Sequence, residues 1–400
     1  MLVSTIQSLV KQLPRRHAGR APLRARPARA LRIAVVTEYY YPHLGGVCEH
    51  VHFFARAARR RGHRVDIITS RIAGAADMEG VIRIGHSMPV YANGSLARIT
   101  VGVGLRQKLR AVLREGRYDL VHVHSPLTSV LPLLAIEEAE VPIVGTFHTY
   151  LAERSLGYTI FRRYCQKRLD RLDAAIAVSH AARETVQRYF DTDCLVIPNG
   201  VDTSFFRPDA AEPSRPRGDT RTVLFVGRFD PRNGFPLLLE AVRRVRRGGQ
   251  PVRLVVVGDG PRREQYAAMA AGDADVEFVG PVLDERPRYY AEADVYACPT
   301  SIASFGITLL EAAACATPIV CSDIRGFDEV VSHEREALMV RPGDADALAD
   351  GLRRVLADDA LRLRLGAAGR ERALQFDWER VTDRVLDVYA RLLGHASAAA

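Results

Sequence analysis

A chain of 400 residues, 48% hydrophobic and 26% charged, has length for two ordinary domains and no apolar run of the roughly 18 residues a membrane span requires. Aromatic content of 7% and a globular apolar fraction exclude a disordered chain. The formal charge of +9 is concentrated at one end: eight Lys and Arg residues and no acid precede Ile33, leaving +1 for the rest, which argues against an extended nucleic-acid channel.

Residues 1–30 read as a basic, mostly disordered arm. Its opening, MLVSTIQSLVKQL, lacks the long apolar stretch and small-residue cleavage site of a secretory signal. Six cysteines without a CxxC or a His pairing at zinc-finger spacing are expected to be buried, reduced thiols of a cytoplasmic protein. From residue 31 short β-branched runs alternate with amphipathic stretches: LRIAVVT (31–37), RVDIITS (64–70), YDLVHVHS (118–125), VPIVGTFHT (141–149) and AAIAVS (174–179). Runs apolar on both faces and separated by helices predict a parallel sheet covered on two sides, so residues 31–205 form one doubly wound domain. Between them, VGLRQKLRAVLR (103–114) predicts a helix with Leu105, Leu109, Val112 and Leu113 at helical spacing and Arg106, Lys108, Arg110 and Arg114 elsewhere on its surface. That pattern fits a helix resting on anionic lipid and equally a packed helix with a solvated basic face.

A Pro-, Gly- and charge-rich stretch at 206–221 predicts a linker. Strand signals resume with TVLFVGR (222–228), VRLVVVGDG (252–260), VEFVG (276–280), ADVYACPT (293–300), TPIVCSD (317–323) and ALMVRPGD (337–344), predicting a second Rossmann-like domain over 222–375 and a closing helix over 376–395. The fold class is therefore α/β, two doubly wound domains facing a cleft. Open α/β sheets bind ligands beyond the carboxyl ends of their strands, which makes that cleft the expected site.

Three loops carry the chemistry. Gly45 and Gly46 precede a helix starting near Val47 and let backbone amides approach a phosphate at a positive helix end, as well as serving an ordinary tight turn. In VGRFDPRNG, Arg228 closes a strand and Arg232 and Asn233 follow; fixed cations there suit a departing nucleoside diphosphate. No lysine occurs after Lys167, so any phosphate clamp in the second domain is arginine, amide or helix dipole. Ser304, Phe305, Gly306 and Ile307 lead into a helix whose start offers free amides to an anion, while Glu311 further on can accept bonds from a ribose diol.

The ordered set of the GGV loop, TFHT (146–149), IPNGVD (197–202), GRFDPRNG (227–234) and SFGITLLEA (304–312) resembles the retaining GT-B glycosyltransferases that use nucleotide sugars. The resemblance spans 31 to about 390, and FDWERVTDRVLDVY (376–389) is similar to the family's terminal helix, which crosses back onto the first domain. Within the family, YANGSLARI (91–99) is similar to a segment of the phosphatidylinositol mannosyltransferases. The resemblance implies catalytic roles for His148, Arg228 and Glu311, with His148 contacting the transferred sugar. It implies donor binding by Gly45, Gly46, Arg228, Arg232, Asn233, Ser304, Phe305, Gly306, Ile307 and Glu311. Acceptor binding by Tyr91, Asn93, Ser95 and Arg98 is implied as well. The co-substrate would be GDP-mannose or a UDP-hexose and the acceptor a lipid or polyol, with peripheral association at an anionic membrane surface on the cytoplasmic side. No cofactor and no metal are expected.

Two charges of the family pattern are missing: its loop lysine is Asn233, and the first of its paired glutamates is Ala303. These departures favour altered preference or rate and leave a noncatalytic nucleotide-sugar binder as a competing reading. GDGPRR (258–263) has the outline of a dinucleotide fingerprint, but Arg263 replaces its third glycine and no ribose-binding acid ends the next strand. His122 and His124 in VHVHS are read as packing or loop residues.

Overall fold

The computed structural model describes residues 29–42, 45–92, 95–210 and 220–394. Most of the basic arm and most of the linker thus lie outside the described residues, as do Asn93 and the side chains of Tyr91 and Ser95.

The first sheet has eight strands: β1 (Arg32–Val36), β2 (Arg64–Arg71), β3 (Val81–Ala92), β4 (Ser95–Val101), β5 (Leu120–His124), β6 (Ile143–Phe147), β7 (Ala174–Ala177) and β8 (Leu195–Val196), in the order β4-β3-β2-β1-β5-β6-β7-β8. All neighbours are parallel except β3 and β4, an antiparallel pair in register from His86↔Val101 to Ala92↔Ser95. The second sheet has six: β9 (Arg221–Val226), β10 (Val252–Val257), β11 (Val276–Gly280), β12 (Val295–Cys298), β13 (Ile319–Ser322) and β14 (Ala337–Val340), ordered β11-β10-β9-β12-β13-β14. Central strands such as β1, β5 and β9 are buried on both faces because helices cover each side, which is why they read as continuous apolar runs.

Strand order reverses between β1 and β5 in the first sheet and between β9 and β12 in the second. Loops leaving strands at such switch points diverge and open a crevice. The Gly45-Gly46 loop follows β1, the Arg228 loop follows β9 and the Ser304 turn follows β12, so three of the motif loops sit at these two crevices.

The terminal helix Trp378–Leu392 begins on an Asp377 cap whose side chain accepts the Glu379 N–H. Trp378, Val381, Val385, Val388 and Tyr389 fall on one face and bury themselves against Val51, Phe54, Ala55 and Ala58 of the first-domain helix Gly46–Arg60. Each large apolar side chain so buried contributes about 1.5–3 kcal/mol. Arg60 and Arg61 pair with Glu379 along the same contact. A chain segment that follows the second domain therefore completes the core of the first.

The helix Leu105–Gly116 buries Leu105 and Leu109, and its cations are largely spent on a neighbour: Arg106 pairs with Glu137 and Glu138, Arg110 with Glu138, and Arg114 with Glu140. Leu105 and Leu109 thus pack inward while Arg106, Arg110 and Arg114 keep a half-exposed basic face. All six cysteines are free and buried.

Candidate functional site

On the first-domain wall, four histidines converge. His122 and His124 are separated by two along β5 and project to the same side, both fully buried. His122 is fixed at each ring nitrogen, by Thr146 Oγ1 at 2.6 Å and by the Tyr389 hydroxyl of the terminal helix at 2.5 Å. His124 Nδ1 lies 2.9 Å from His148 Nε2, just beyond β6. His50, one turn into the Gly46 helix, packs edge-on at 4.9 Å from His148 and bonds Asn199 Oδ1 at 2.8 Å through Nδ1. His122 and His124 are thus the immediate support of His148, a closer role than packing alone.

Burial drives the imidazoles toward the neutral form, lowering His50 to about 4 and His122 to about 3, and holding His124 and His148 well below the ordinary value. An unfolded chain takes protons on these rings near pH 6.5 and the native chain does not, so stability present above that pH is lost as pH falls through 6.5 toward 4. The urea midpoint is expected to drop steeply over this window, with a shallower slope in His50→Gln. A flat wild-type profile from pH 6.5 to 5 would contradict the cluster's neutrality.

On the second-domain wall the Arg228 loop is stiffened from within. Asn233 Nδ2 donates to the Arg228 carbonyl at 2.6 Å, and Arg228 Nη2 bonds Asp230 Oδ2 at 2.8 Å. Asn233 therefore shapes the loop, and the exposed Arg232 guanidinium lies 3.8 Å from Asp230. The tight GDG turn packs on the same loop: a β-carbon at Gly258 would stand 2.0 Å from the Gly227 carbonyl oxygen, so that glycine answers a close backbone approach.

Gly306 adopts φ 133°, a conformation that favours glycine, and starts the helix Ile307–Ala314, while Phe305 is anchored in the second-domain core. Two contacts bring this turn to the opposite wall. Ser304 Oγ accepts the Tyr150 N–H at 2.8 Å, two residues beyond His148. A β-carbon at Gly46 would lie 3.1 Å from Ile307 Cδ1, so two helix N-termini face one another across the cleft.

Glu311 lies at the cleft with both carboxylate oxygens already engaged. It is 2% exposed. One oxygen accepts the Tyr290 hydroxyl at 2.8 Å and the other lies 3.1 Å from Arg286 Nη2. Arg286 also reaches Glu49 of the Gly46 helix at 3.0 Å. In this arrangement Glu311 is half of a strut between domains, and burial, opposed by Arg286, holds its carboxyl above the usual range. Nearby, Glu329 of the second domain accepts the His180 and Ala181 N–H groups at 2.8 and 3.0 Å, a carboxylate at a helix N-terminus.

The YANGSLARI segment is not a simple polar loop: it forms the outer ends of β3 and β4. Arg98 donates its N–H to the Tyr39 hydroxyl at 3.3 Å and its guanidinium lies 3.4 Å from Ser87 Oγ. Burial raises the Tyr39 phenol, with the Arg98 amide and the Arg228 charge pulling the other way, so Tyr39 lies within the field of the second-domain loop. The structure thus gathers His148, Gly46, Ser304, Ile307 and Glu311 along the cleft, with the Arg98 N–H on the Tyr39 hydroxyl and the Arg228 charge acting on the same phenol. Sequence reasoning missed Arg286, Glu49, Tyr39, His50 and Asn199. Asn199 lay within the quoted IPNGVD motif; Arg286 and Glu49 carried no local signal, because their meaning arises from pairing across domains.

Residues 44–205 match the family described as Glycosyltransferase Family 4, and residues 220–358 match that described as Glycosyl transferases group 1. The chain is 36% identical over 371 residues to a phosphatidyl-myo-inositol mannosyltransferase of Mycobacterium tuberculosis, covering 91% of this chain and 98% of that protein. It is 31% identical over 392 residues to a D-inositol 3-phosphate glycosyltransferase of Xylanimonas cellulosilytica, covering 87% and 92% respectively. Among solved structures, a glycosyltransferase from Rickettsia africae matches with TM-score 0.74 at 18% identity, over 92% of this chain and 99% of that one. Anabaena Alr3699/HepE in complex with UDP-glucose matches with TM-score 0.72 at 18% identity, over 90% and 99%.

Proposed function

The chain belongs to the group 1 and family 4 glycosyltransferases and has their GT-B fold, and on that premise we propose that it moves a hexose, mannose first, from a nucleoside-diphosphate sugar to a phosphatidylinositol-like lipid with retention of anomeric configuration. The observation that carries this reading is the meeting of loops from the carboxyl ends of both sheets, through Ser304 and Tyr150 and through Gly46 and Ile307, beside His148. Support for the acceptor comes from the relative named for phosphatidyl-myo-inositol transfer. GDP-mannose is placed ahead of a UDP-hexose on that same likeness.

In this mechanism Arg228, Arg232 and the amides at Phe305, Gly306 and Ile307 take up charge that grows on the leaving diphosphate. Gly45 and Gly46 bring a second helix end to it. Neutral His148, oriented by His124, gives one hydrogen bond to the transferring sugar. The acceptor, its phosphate and ring assigned by the family resemblance to Arg98 with Tyr91, Asn93 and Ser95, attacks through a hydroxyl on the same face that the diphosphate leaves, and a diphosphate oxygen receives its proton. Neither a carboxylate nucleophile nor a metal is required. Closure of the domains excludes water, with the terminal helix as one hinge.

Among the described residues no helix is long and apolar enough to cross a membrane. Access to a lipid acceptor is proposed through peripheral contact. Leu156, Ile160, Phe161 and Tyr164 are 73%, 65%, 60% and 51% exposed, and exposed Arg162, Arg163 and Lys167 lie among them, a pairing of apolar and cationic groups that suits an anionic bilayer.

The test is incubation of the purified chain with radiolabelled GDP-mannose or UDP-glucose and vesicles containing phosphatidylinositol. Label is expected in a lipid product. Ile160→Ser with Phe161→Ser is expected to reduce vesicle co-sedimentation and lipid transfer severalfold while leaving donor hydrolysis intact. Measurable nucleotide-sugar binding without transfer or hydrolysis would instead support the noncatalytic reading, which Ala303, packed against the second-domain core, keeps in view.

A further inference from the structure

We propose that His50, His124 and His148 form a three-imidazole site for a borderline divalent transition metal such as Zn2+ or Co2+, and that occupation of this site shuts the cleft to donor. One nitrogen of each ring lies within 4.8 Å of the other two. Tetrahedral Zn–N bonds of about 2.0–2.1 Å place ligand nitrogens about 3.3–3.4 Å apart, so the cluster is slightly wider than a filled site and closes by rotation of the side chains. His124 Nδ1 and His148 Nε2, hydrogen-bonded at 2.9 Å, are closer than two ligand nitrogens, so metal binding breaks this bond and turns the two rings apart.

Three further features match what such a metal needs. Among the described residues His124 Nε2 is buried without a hydrogen-bond partner, and with Nδ1 donating to His148 it carries a lone pair that a metal would satisfy. His50 Nδ1 faces Asn199 Oδ1 at 2.8 Å, which places the proton on Nδ1 and leaves the Nε2 lone pair to coordinate; this is the outer-shell support common behind zinc-bound imidazoles. His50 and His124 are buried, whereas His148 is partly exposed, so entry and an open coordination position face the cleft. A ligand set of imidazoles without a carboxylate excludes Mg2+ and Ca2+, which take oxygen donors.

The consequence for transfer follows from His148. A ring that turns to a metal no longer reaches the sugar, and the ion's open position stands where the sugar would lie. Metal binding rests on the cluster alone; its inhibition of transfer rests on the function proposed above.

The experiment titrates the full chain with Co2+, read by the visible ligand-field absorption of a tetrahedral site, and then with Zn2+ by equilibrium dialysis. One equivalent is expected to bind. His50→Gln and His124→Gln are expected to weaken it at least tenfold, while His180→Gln and His333→Gln, away from the cluster, leave it unchanged. Asn199→Asp, which gives His50 a carboxylate partner, is expected to tighten binding by about 10-fold or more. Circular dichroism reports whether each variant folds; should the two glutamine variants unfold, Asn199→Asp decides, and unchanged affinity there overturns the site. Absence of stoichiometric binding, or binding that disappears with His180 or His333, overturns it too. In the transfer assay Zn2+ is expected to compete with donor. Metal binding in a protein that transfers no sugar leaves the site standing and removes the functional reading.

Discussion

Arg228→Ala is expected to lower turnover by about 10²- to 10³-fold and to weaken nucleotide-sugar binding, the scale seen when a fixed donor to developing charge is removed from a water-poor site. The side chain is held at 2.8 Å by Asp230, a buried acid that also turns the loop, so its guanidinium is positioned before any ligand arrives. Arg228→Lys keeps the charge and loses the planar fork, and should fall between wild type and alanine. Arg98 stands on β4 in the other domain, and Arg98→Ala should raise the acceptor KM while sparing donor affinity measured by calorimetry. Arg98 contacts Tyr39 through its backbone N–H while Arg228 reaches the same phenol only through its charge, which makes the contrast informative. Equal loss of donor affinity in both variants would contradict the assignment of donor and acceptor to separate walls.

Removal of Arg286 is expected to be the most damaging single change to stability. Glu49 and Glu311 come from different domains and meet only through this guanidinium, at 3.0 and 3.1 Å. Breaking a buried ion pair from one side typically costs about 3–5 kcal/mol because the remaining charge is left without a partner. Arg286→Ala leaves two. The loss should depend on pH in a specified direction. With the cation gone, burial and the nearby Glu49 charge both favour protonated Glu311, so the native state binds more protons than the unfolded chain above about pH 4.5 and the variant gains stability as pH falls toward that value. Urea unfolding at pH 5 and pH 8 reads this out, with a smaller deficit expected at pH 5. Glu49→Gln with Glu311→Gln and Arg286→Met should recover most of the deficit by removing all three charges together. Failure of the triple variant to recover, alongside a pH-independent loss in Arg286→Ala, would mean that the strut is not what holds this contact.

The position of Glu311 carries a functional corollary. Its two oxygens are engaged by Tyr290 and Arg286 in this arrangement of the domains. Contact with a ribose diol therefore calls for a shift of Arg286, and with it a change at Glu49 on the acceptor-side helix. Donor binding and domain arrangement would be linked through one guanidinium, which makes Arg286 a more sensitive position than its unremarkable sequence context implies.

The alternation of LRIAVVT, YDLVHVHS, TVLFVGR and their fellows with amphipathic stretches by itself determined two parallel α/β layers. A strand buried on both faces must be apolar along its whole length, a requirement each segment satisfies locally. The order of the glycine and arginine loops was legible for the same reason, since each directly follows its strand. The outer β3/β4 ladder was not: its residues are mixed in character because an edge pair need not be apolar throughout, so no strand signal marked the segment around Arg98. Nor could local pattern place Glu311 against Arg286 and Glu49, which lie 237 residues apart in the case of the latter pair, or set His50 beside His148. Those arrangements exist only once the second domain's loops and the returning terminal helix close on the first. Charge pairing and imidazole contact depend on distance in space, and the chain encodes that distance only through the packing of both domains together.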